Sequence, residues 1–426
     1  MIMRVVLSTY GSRGDVEPLA ALAVQLRERG AEAVVCAPPD DDFARLLERA
    51  GVPLVGAGQA VREMIAEVTR KQGPNVGRRL PLEELQLRAR RIVATQYEAV
   101  LSALGGSAGP DDVVVGTGLM PAACGARSAA DRVGARWVSV RFQPTTLPSP
   151  HHRPYPYPGR PLPEGETDNR VLWEYDRETM KVVFGGVFDE HRVGVGLETV
   201  DDVREYVFTR QPWLAADPLL APWPDDAGAD AGVDFGVDVV QTGAWILPDR
   251  RRLPEDLRAF LDAGEPPVYV GFGSMGMQQE LKGPGRLAIE AAREHGRRVV
   301  VHAGWAGLGL SDDGDDCLAV GEINQQALFA RCAAVVHHGG AGTTTTATRA
   351  GAPQVVPQVV DQPYFAARVA ELGIGVAHDG PVPSADSLSQ ALGQALEPGT
   401  ARRAREVSGL IRTDGTRVAA GLLGVG

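Results

Sequence analysis

At 426 residues the chain is too long for one ordinary domain, and two domains of roughly 200 residues each are expected. Apolar residues make up 44% of it and charged residues 23%, the balance of a folded globular protein. Its 43 basic and 54 acidic residues give a net charge of −11 without any Lys/Arg block, which argues against nucleic acid and anionic membrane surfaces as partners.

The four cysteines, Cys36, Cys124, Cys317 and Cys332, lie far apart and form no CxxC pair. That spacing argues against a disulfide framework and a structural zinc site. Residues 1–8 turn polar too soon for a secretory signal and read as a first strand, and no run of 18 apolar residues suggests a membrane span. A cytoplasmic, monomeric enzyme is the expectation.

In chain order, residues 3–7 read as a strand, 19–29 as a helix closed by Gly30, and 32–36 as the next strand. Residues 43–49 read as a helix, 52–55 as extended, 113–115 as a strand, 120–133 as a helix and 137–140 as a strand. The second half repeats the scheme, with strands at 268–270, 299–301, 317–320, 334–336 and 354–356. Helices are expected there at 286–294, 325–329, 345–350 and 364–372. Alternation of this kind predicts two α/β, doubly wound, parallel-sheet domains in tandem. The stretch 211–236, rich in Pro, Gly and Asp, reads as the linker between an N-terminal domain (1–210) and a C-terminal one (237–426). A second irregular stretch, 148–159, reads either as an ordered surface loop or as a rigid aromatic wall for a hydrophobic ligand.

Three turns carry the chemistry. The run His337-His338-Gly339-Gly340-Ala341-Gly342-Thr343-Thr344 follows an apolar strand and opens a helix. Its backbone N–H groups and helix dipole suit an anion, although a glycine-rich turn is also an ordinary strand-to-helix connection. Early in the chain, Gly11-Ser12-Arg13-Gly14-Asp15 makes a tight turn into a helix. Asp15 there is either a cap or a general base at the carboxyl end of a strand. Near the end, Asp361-Gln362 offers a carboxylate and an amide that suit vicinal hydroxyls.

Two competing signals are weaker. Gly271-Phe272-Gly273-Ser274-Met275-Gly276 is a literal GxGxxG after a strand, but the next strand, 298–303, ends without the acid that a dinucleotide ribose needs. The acidic run 312–316 lacks the spacing of a calcium loop, and His337 and His338, adjacent on a strand, face opposite ways. No metal site and no cofactor are expected.

Together these pieces resemble the two-domain glycosyltransferases of the GT-B fold, in particular the bacterial enzymes acting on vancomycin- and teicoplanin-type glycopeptide aglycones. The resemblance runs through Gly11–Leu19, Pro212-Trp213-Leu214-Ala215-Ala216-Asp217-Pro218, Gln241-Thr242-Gly243-Ala244-Trp245, the 337–344 turn and Asp361-Gln362-Pro363-Tyr364. It implies two Rossmann-like domains facing across a cleft, with the last helical segment packing back on the first. It also implies inverting transfer of a glucose-like hexose from a UDP- or dTDP-sugar to a hydroxyl, phenolic by preference. By the same resemblance Asp15 is the base, and Ser12, Arg13, Gly14, Ser274, His337, Gly340, Ala341, Gly342 and Thr343 hold the diphosphate. Ile323 and Gln325 meet the nucleobase, Asp361 and Gln362 the sugar, and Gln143, Tyr155 and Tyr157 are candidates for the acceptor wall. A polyketide or macrolide acceptor, and a nucleotide-sugar-binding protein without turnover, are the alternatives. The segments 61–82 and 145–168 follow the relatives least, and the chain ends at Gly426, where relatives often continue, so a truncated tail is expected.

Overall fold

Short valine-rich runs set the architecture. In the computed structural model, which describes residues 2–72, 81–157, 159–223, 235–272, 282–302, 314–357, 363–378 and 383–425 (side chains of 68–72 and 282–284 aside), they form two all-parallel sheets. The first comprises β1 (Arg4–Ser8), β2 (Glu32–Ala37), β3 (Leu54–Gly56), β4 (Val113–Gly116), β5 (Arg136–Arg141), β6 (Trp213–Leu214) and β7 (Val240–Gln241), ordered β3-β2-β1-β4-β5-β6-β7. The second comprises β8 (Val268–Gly271), β9 (Val299–His302), β10 (Cys317–Val320), β11 (Ala334–His337), β12 (Gln354–Val356) and β13 (Gly375–Ala377), ordered β10-β9-β8-β11-β12-β13.

Helices on both faces remove the central strands from water. Val5, Val6 and Leu7 in β1, and Val268, Val299 and Val335 in the second sheet, are completely buried. Continuous burial explains why these strands read as apolar runs and not as alternating patterns. In each sheet the chain reverses its direction of progress once, between β1 and β4 and between β8 and β11. At such a switch point the loops leaving the two central strands part and open a crevice at the carboxyl edge of the sheet.

The chain divides into two compact units. The first holds Met1–Pro218, Pro222–Leu247 and Thr413–Gly426; the second holds Leu219–Ala221 and Pro248–Arg412. Within the first unit the helix Gly415–Leu423 packs on the helix Arg13–Glu28, and Arg29 Nη1 donates to the Val425 carbonyl at 2.9 Å. Gly415 lies so close to the chain at β7 that a Cβ there would stand 2.4 Å from the Ala244 carbonyl oxygen.

Several features depart from the expectation. The first helix begins at Arg13, not at 19, and carries Pro18 inside it. A proline there removes one backbone bond, and a capping box at Ser12 and Asp15 compensates by closing the first turn. Trp213–Leu214, inside the stretch read as linker, pairs with β5 as β6; two residues are too few to show a period. A long helical stretch, Asn169–Met180, a π-turn over Lys181–Gly185 and Gly186–Gly194, follows the 148–160 loop and has no counterpart in the sequence reading.

The tightest helix contact in the first unit is between Leu82–Ala103 and Met120–Val133. A Cβ built on Gly125 would lie 2.2 Å from the Val93 carbonyl oxygen. Gly125→Ala should therefore destabilise the protein by about 1–3 kcal/mol through overpacking. Gly421→Ala, in an exposed helical position with open space around it, should be neutral or stabilising by up to about 1 kcal/mol. Thermal melts of the two variants check the contrast; equal effects would remove the packing argument.

Candidate active site

Asp15 stands at the switch point of the first sheet, in the first turn of the helix that follows β1. Ser12 is the N-cap: its Oγ accepts from the Gly14 N–H at 3.3 Å, and its own N–H donates to Asp15 Oδ2 at 2.8 Å. The Ser12 hydroxyl reaches the same Oδ2 at 3.3 Å, so both bonds fall on one oxygen. Oδ1 keeps no protein partner among the described residues. The carboxylate is thus tethered by one oxygen while the other stays available. Gly11 is what leaves it room, because a Cβ there would lie 2.3 Å from Asp15 Oδ2. Burial pushes the Asp15 carboxyl above the ordinary range, opposed by the bonds from Ser12 and by the positive charge of Arg141.

Arg13 is half-buried and donates to Glu17 Oε2 at 2.7 Å, and Gly14 is exposed. Of the acceptor candidates, Gln143 caps the short turn Pro144–Thr146. Tyr157 packs edge-on against Phe184 at 5.7 Å, and burial pushes its hydroxyl well above the usual phenol value. Tyr155 is half-buried. The loop carrying both tyrosines is held in place: Trp173 Nε1 donates to the Ser149 and His152 carbonyls at 3.0 and 2.9 Å. Asn169 Nδ2 also donates to the Pro150 carbonyl at 2.6 Å.

Sequence reading passes over two residues of this region. Arg141 ends β5 and is 6% exposed; Arg204, equally buried, forms an ion pair with Asp176 and lies over the Trp173 ring at 4.5 Å. The signal for Arg141 is a cation closing a strand otherwise rich in valine, which no period marks as functional.

In the second sheet the switch point holds the glycine-rich turn. Gly339 adopts φ +83, a conformation open to glycine, and lets the chain swing from β11 into the helix Ala341–Arg349. Gly340 is the N-cap and supplies no side-chain bond, so the first N–H groups of the helix, at Ala341, Gly342 and Thr343, point outward uncapped. Gly342 faces open space. The hydroxyls of Thr344, Thr345 and Thr346 are turned back onto the carbonyls of Gly340, Ala341 and Gly342 at 3.0, 2.8 and 2.9 Å. Thr343 alone of the four has no such bond among the described residues. The result is an exposed helix N-terminus of the kind that binds phosphate.

His337 does not face that turn. It is completely buried; its Nδ1 accepts from the Gly339 N–H at 3.0 Å and its Nε2 meets Gln354 Oε1 at 2.8 Å. Both ring nitrogens serve the fold, tying β11 to β12, and Gln354 in turn donates to Thr348 Oγ1 at 2.9 Å. The ring next to the turn is His338: a Cβ on Gly340 would lie 2.4 Å from His338 Nε2. Alternation along a strand could have separated the two, had the inward parity of β11 been known.

Gln325 likewise looks inward, donating from Nε2 to the Tyr269 hydroxyl at 2.9 Å. The Ile323 carbonyl already accepts from Arg251 Nη2 at 3.3 Å, and Asn324 caps the next helix while donating to the Asp249 and Arg251 carbonyls. Ser274, Asp361 and Gln362 lie outside the described residues. No group of three His, Cys, Asp or Glu side chains able to hold a metal occurs among the described residues. Likewise, no described helix is long and apolar enough to cross a membrane.

Burial, with a contribution from the charge of His338, drives the His337 ring down to about 3. The unfolded chain takes up a proton near pH 6.5 that the folded ring refuses. Stability should therefore decline as pH falls from about 6.5 toward 3, by up to about 1.4 kcal/mol per pH unit from this group. Denaturant titrations between pH 7 and 4 should show a shallower decline for His337→Gln than for the parent; parallel declines would exclude His337 as the source.

Residues 291–414 match the family described as Erythromycin biosynthesis protein CIII-like, C-terminal domain. The chain is 48% identical over 423 residues to the vancomycin aglycone glucosyltransferase of Amycolatopsis orientalis, covering 99% of this chain and 97% of that protein. It is 50% identical over 424 residues to glycosyltransferase GtfE of the same organism, again covering 99% and 97%. The crystal structure of the glycosyltransferase of kitacinnamycin superposes with a TM-score of 0.71 at 20% identity, covering 100% of this chain and 99% of that one, a likeness of fold. With half its residues shared over nearly the whole length, the chain belongs to the family of glycopeptide-antibiotic glycosyltransferases and is a nucleotide-sugar-dependent enzyme of the GT-B fold.

Proposed function

We propose that the enzyme moves a glucose-like hexose, with inversion, from a UDP- or dTDP-sugar to a phenolic hydroxyl of a glycopeptide aglycone of the vancomycin type. The observation that carries this reading is the contrast between the two switch points. One presents a tethered carboxylate with a free oxygen, the other an uncapped helix N-terminus. A base for the acceptor and a seat for a departing diphosphate are the two things the reaction needs.

Asp15 Oδ1 takes the proton of the acceptor hydroxyl. The hydroxyl oxygen forms its bond to the anomeric carbon from the face opposite the leaving group, and the bond from that carbon to the diphosphate oxygen breaks with its electron pair. Negative charge gathers on the diphosphate, where the N–H groups of Ala341, Gly342 and Thr343, with the helix dipole and His338, meet it. His337 and Gln354 act from behind by holding the turn in shape. Ser12 orients the base, and Gly14 keeps the approach open. The choice of glucose and of a glycopeptide acceptor rests on the name of the 48% identical relative and on the unbroken 337–344 run.

Incubation with UDP- and dTDP-glucose and vancomycin aglycone should yield a product heavier by one hexose in mass spectrometry. Product with a macrolide alone would move the acceptor, and nucleotide binding without any product would leave a binding protein. Asp15→Asn should cut turnover by about 10²–10⁴-fold with nucleotide affinity retained. Near-parental turnover would remove the base. Because Asp15 must be ionised to act, the acid limb of kcat/KM should fall at a pH above the usual aspartate value of about 3.9. Gly11→Ala should push the carboxylate aside and reduce turnover while leaving nucleotide affinity unchanged; unimpaired turnover would show that Asp15 tolerates the displacement.

A further inference from the structure

Arg141 is a buried cation that the fold leaves partly unused. Its guanidinium carbon lies over the Phe208 ring, 4.1 Å from the ring centre, and its Nη1 reaches the Gly118 carbonyl at 3.5 Å. Gly118 follows β4, and a Cβ there would stand 2.6 Å from Thr9 Oγ1, so Arg141 lies on the carboxyl edge where β1, β4 and β5 end. Its Nε–H is buried and has no protein acceptor, and it forms no ion pair among the described residues. Thr9 Oγ1 and Thr145 Oγ1, on segments leaving the same edge, are buried and unpartnered as well. Such groups are costly in an interior unless something completes them.

The neighbouring charges separate into two sets. Arg204, on the helix Val203–Phe208, is matched by Asp176 on the helix Asn169–Met180. Asp15, on the helix after β1, is what remains to balance Arg141, and the charges of Arg141 and Arg204 also act on the Tyr157 hydroxyl in the 148–160 loop. Arg13 and Glu17, on the same helix as Asp15, pair with each other.

We infer that Arg141 is an acceptor-binding residue that works with Asp15: its Nε–H donates to the acceptor oxygen, and its charge holds the negative charge of the site in place during proton transfer. Before transfer the charge is on Asp15; afterwards Asp15 is neutral and the charge is on the acceptor oxygen, until that oxygen's pair bonds to the anomeric carbon. One positive charge thus faces one negative charge both before and after the proton transfer, until the glycosidic bond forms and the negative charge leaves with the diphosphate. The inference rests on Asp15 as base and names the cation that this reading lacks. It also fits an acceptor whose hydroxyl ionises readily, a phenol before an alkyl alcohol.

The experiment compares Arg141→Met and Arg141→Lys with the parent, using vancomycin aglycone and UDP-glucose, with kcat, acceptor KM and the pH profile of kcat/KM as readouts. Arg141→Met should lower kcat/KM by about 10–10³-fold, raise the acceptor KM and move the acid limb to higher pH, because Asp15 ionises less readily without its cation. Arg141→Lys should return the acid limb toward the parental position, and nucleotide affinity should be unchanged in both. An acid limb and acceptor KM unmoved in Arg141→Met, or a lysine variant no better than methionine, would reduce Arg141 to a packing partner of Phe208. Should Arg141→Met fail to fold, Arg141→Gln carries the same comparison. Asp15→Asn separates the two readings: if it retains turnover the base assignment fails, and if it is crippled while the Arg141 variants keep the parental profile, only the present inference fails.

Discussion

A helix begins with peptide N–H groups that its own hydrogen bonds cannot reach, and both halves of this enzyme are organised around that deficit. In the first unit the deficit is met from within: Ser12 and Asp15 close a capping box, and the carboxylate that does so is fixed to a fraction of the freedom it would otherwise have. In the second unit the same deficit is left open behind Gly340, and the threonines that could have closed it turn their hydroxyls back along the helix. One arrangement holds a carboxylate in place, the other leaves peptide N–H groups of the kind that suit an anion. Parallel sheets place both at the carboxyl edge, where the strand order reverses.

Around each turn the supporting residues matter as much as those that face outward. His337 and Gln354 form a dry hydrogen-bonded link between β11, β12 and the helix Ala341–Arg349, which keeps the turn from relaxing into some other connection. Gly11 supports Asp15 by occupying no space. Buried positive charge in the first unit includes two satisfied pairs, Arg204 with Asp176 and Arg192 with Asp131, and one cation that forms no ion pair among the described residues, Arg141. Fully matched charges hold a core together; an unmatched one at the edge of a crevice is arranged for something that arrives later.

Much of this was legible before any coordinates. Strands such as Val268–Gly271, Ala334–His337 and Gln354–Val356 are short apolar runs between turn residues, and burial on both faces makes such runs conspicuous. The helix Met120–Val133 carries its stop signal in Gly134, which takes φ +79. What escaped depends on contacts distant in sequence. Pro18 masked the true start of the first helix, because the compensating cap lies six residues earlier. His337 and His338 are indistinguishable until the inward face of β11 is known, and Gln325 could not be seen to turn toward Tyr269, 56 residues away. Arg141 carries no motif at all; only its position on the edge of the sheet gives it meaning.

The return of residues 413–425 to the first unit also bears on how the molecule is made. The helix Gly415–Leu423 nests against Gly243 and Ala244 and lies on the helix Arg13–Glu28, so the first unit is completed only after the whole second unit has been synthesised. The second unit, apart from Leu219–Ala221, is one unbroken length of chain from Pro248 to Arg412. Domains fold as units during synthesis, usually in the order in which they emerge. Here that order is inverted for the final step: the half carrying Asp15 must wait, incompletely sealed, while the later half can already close.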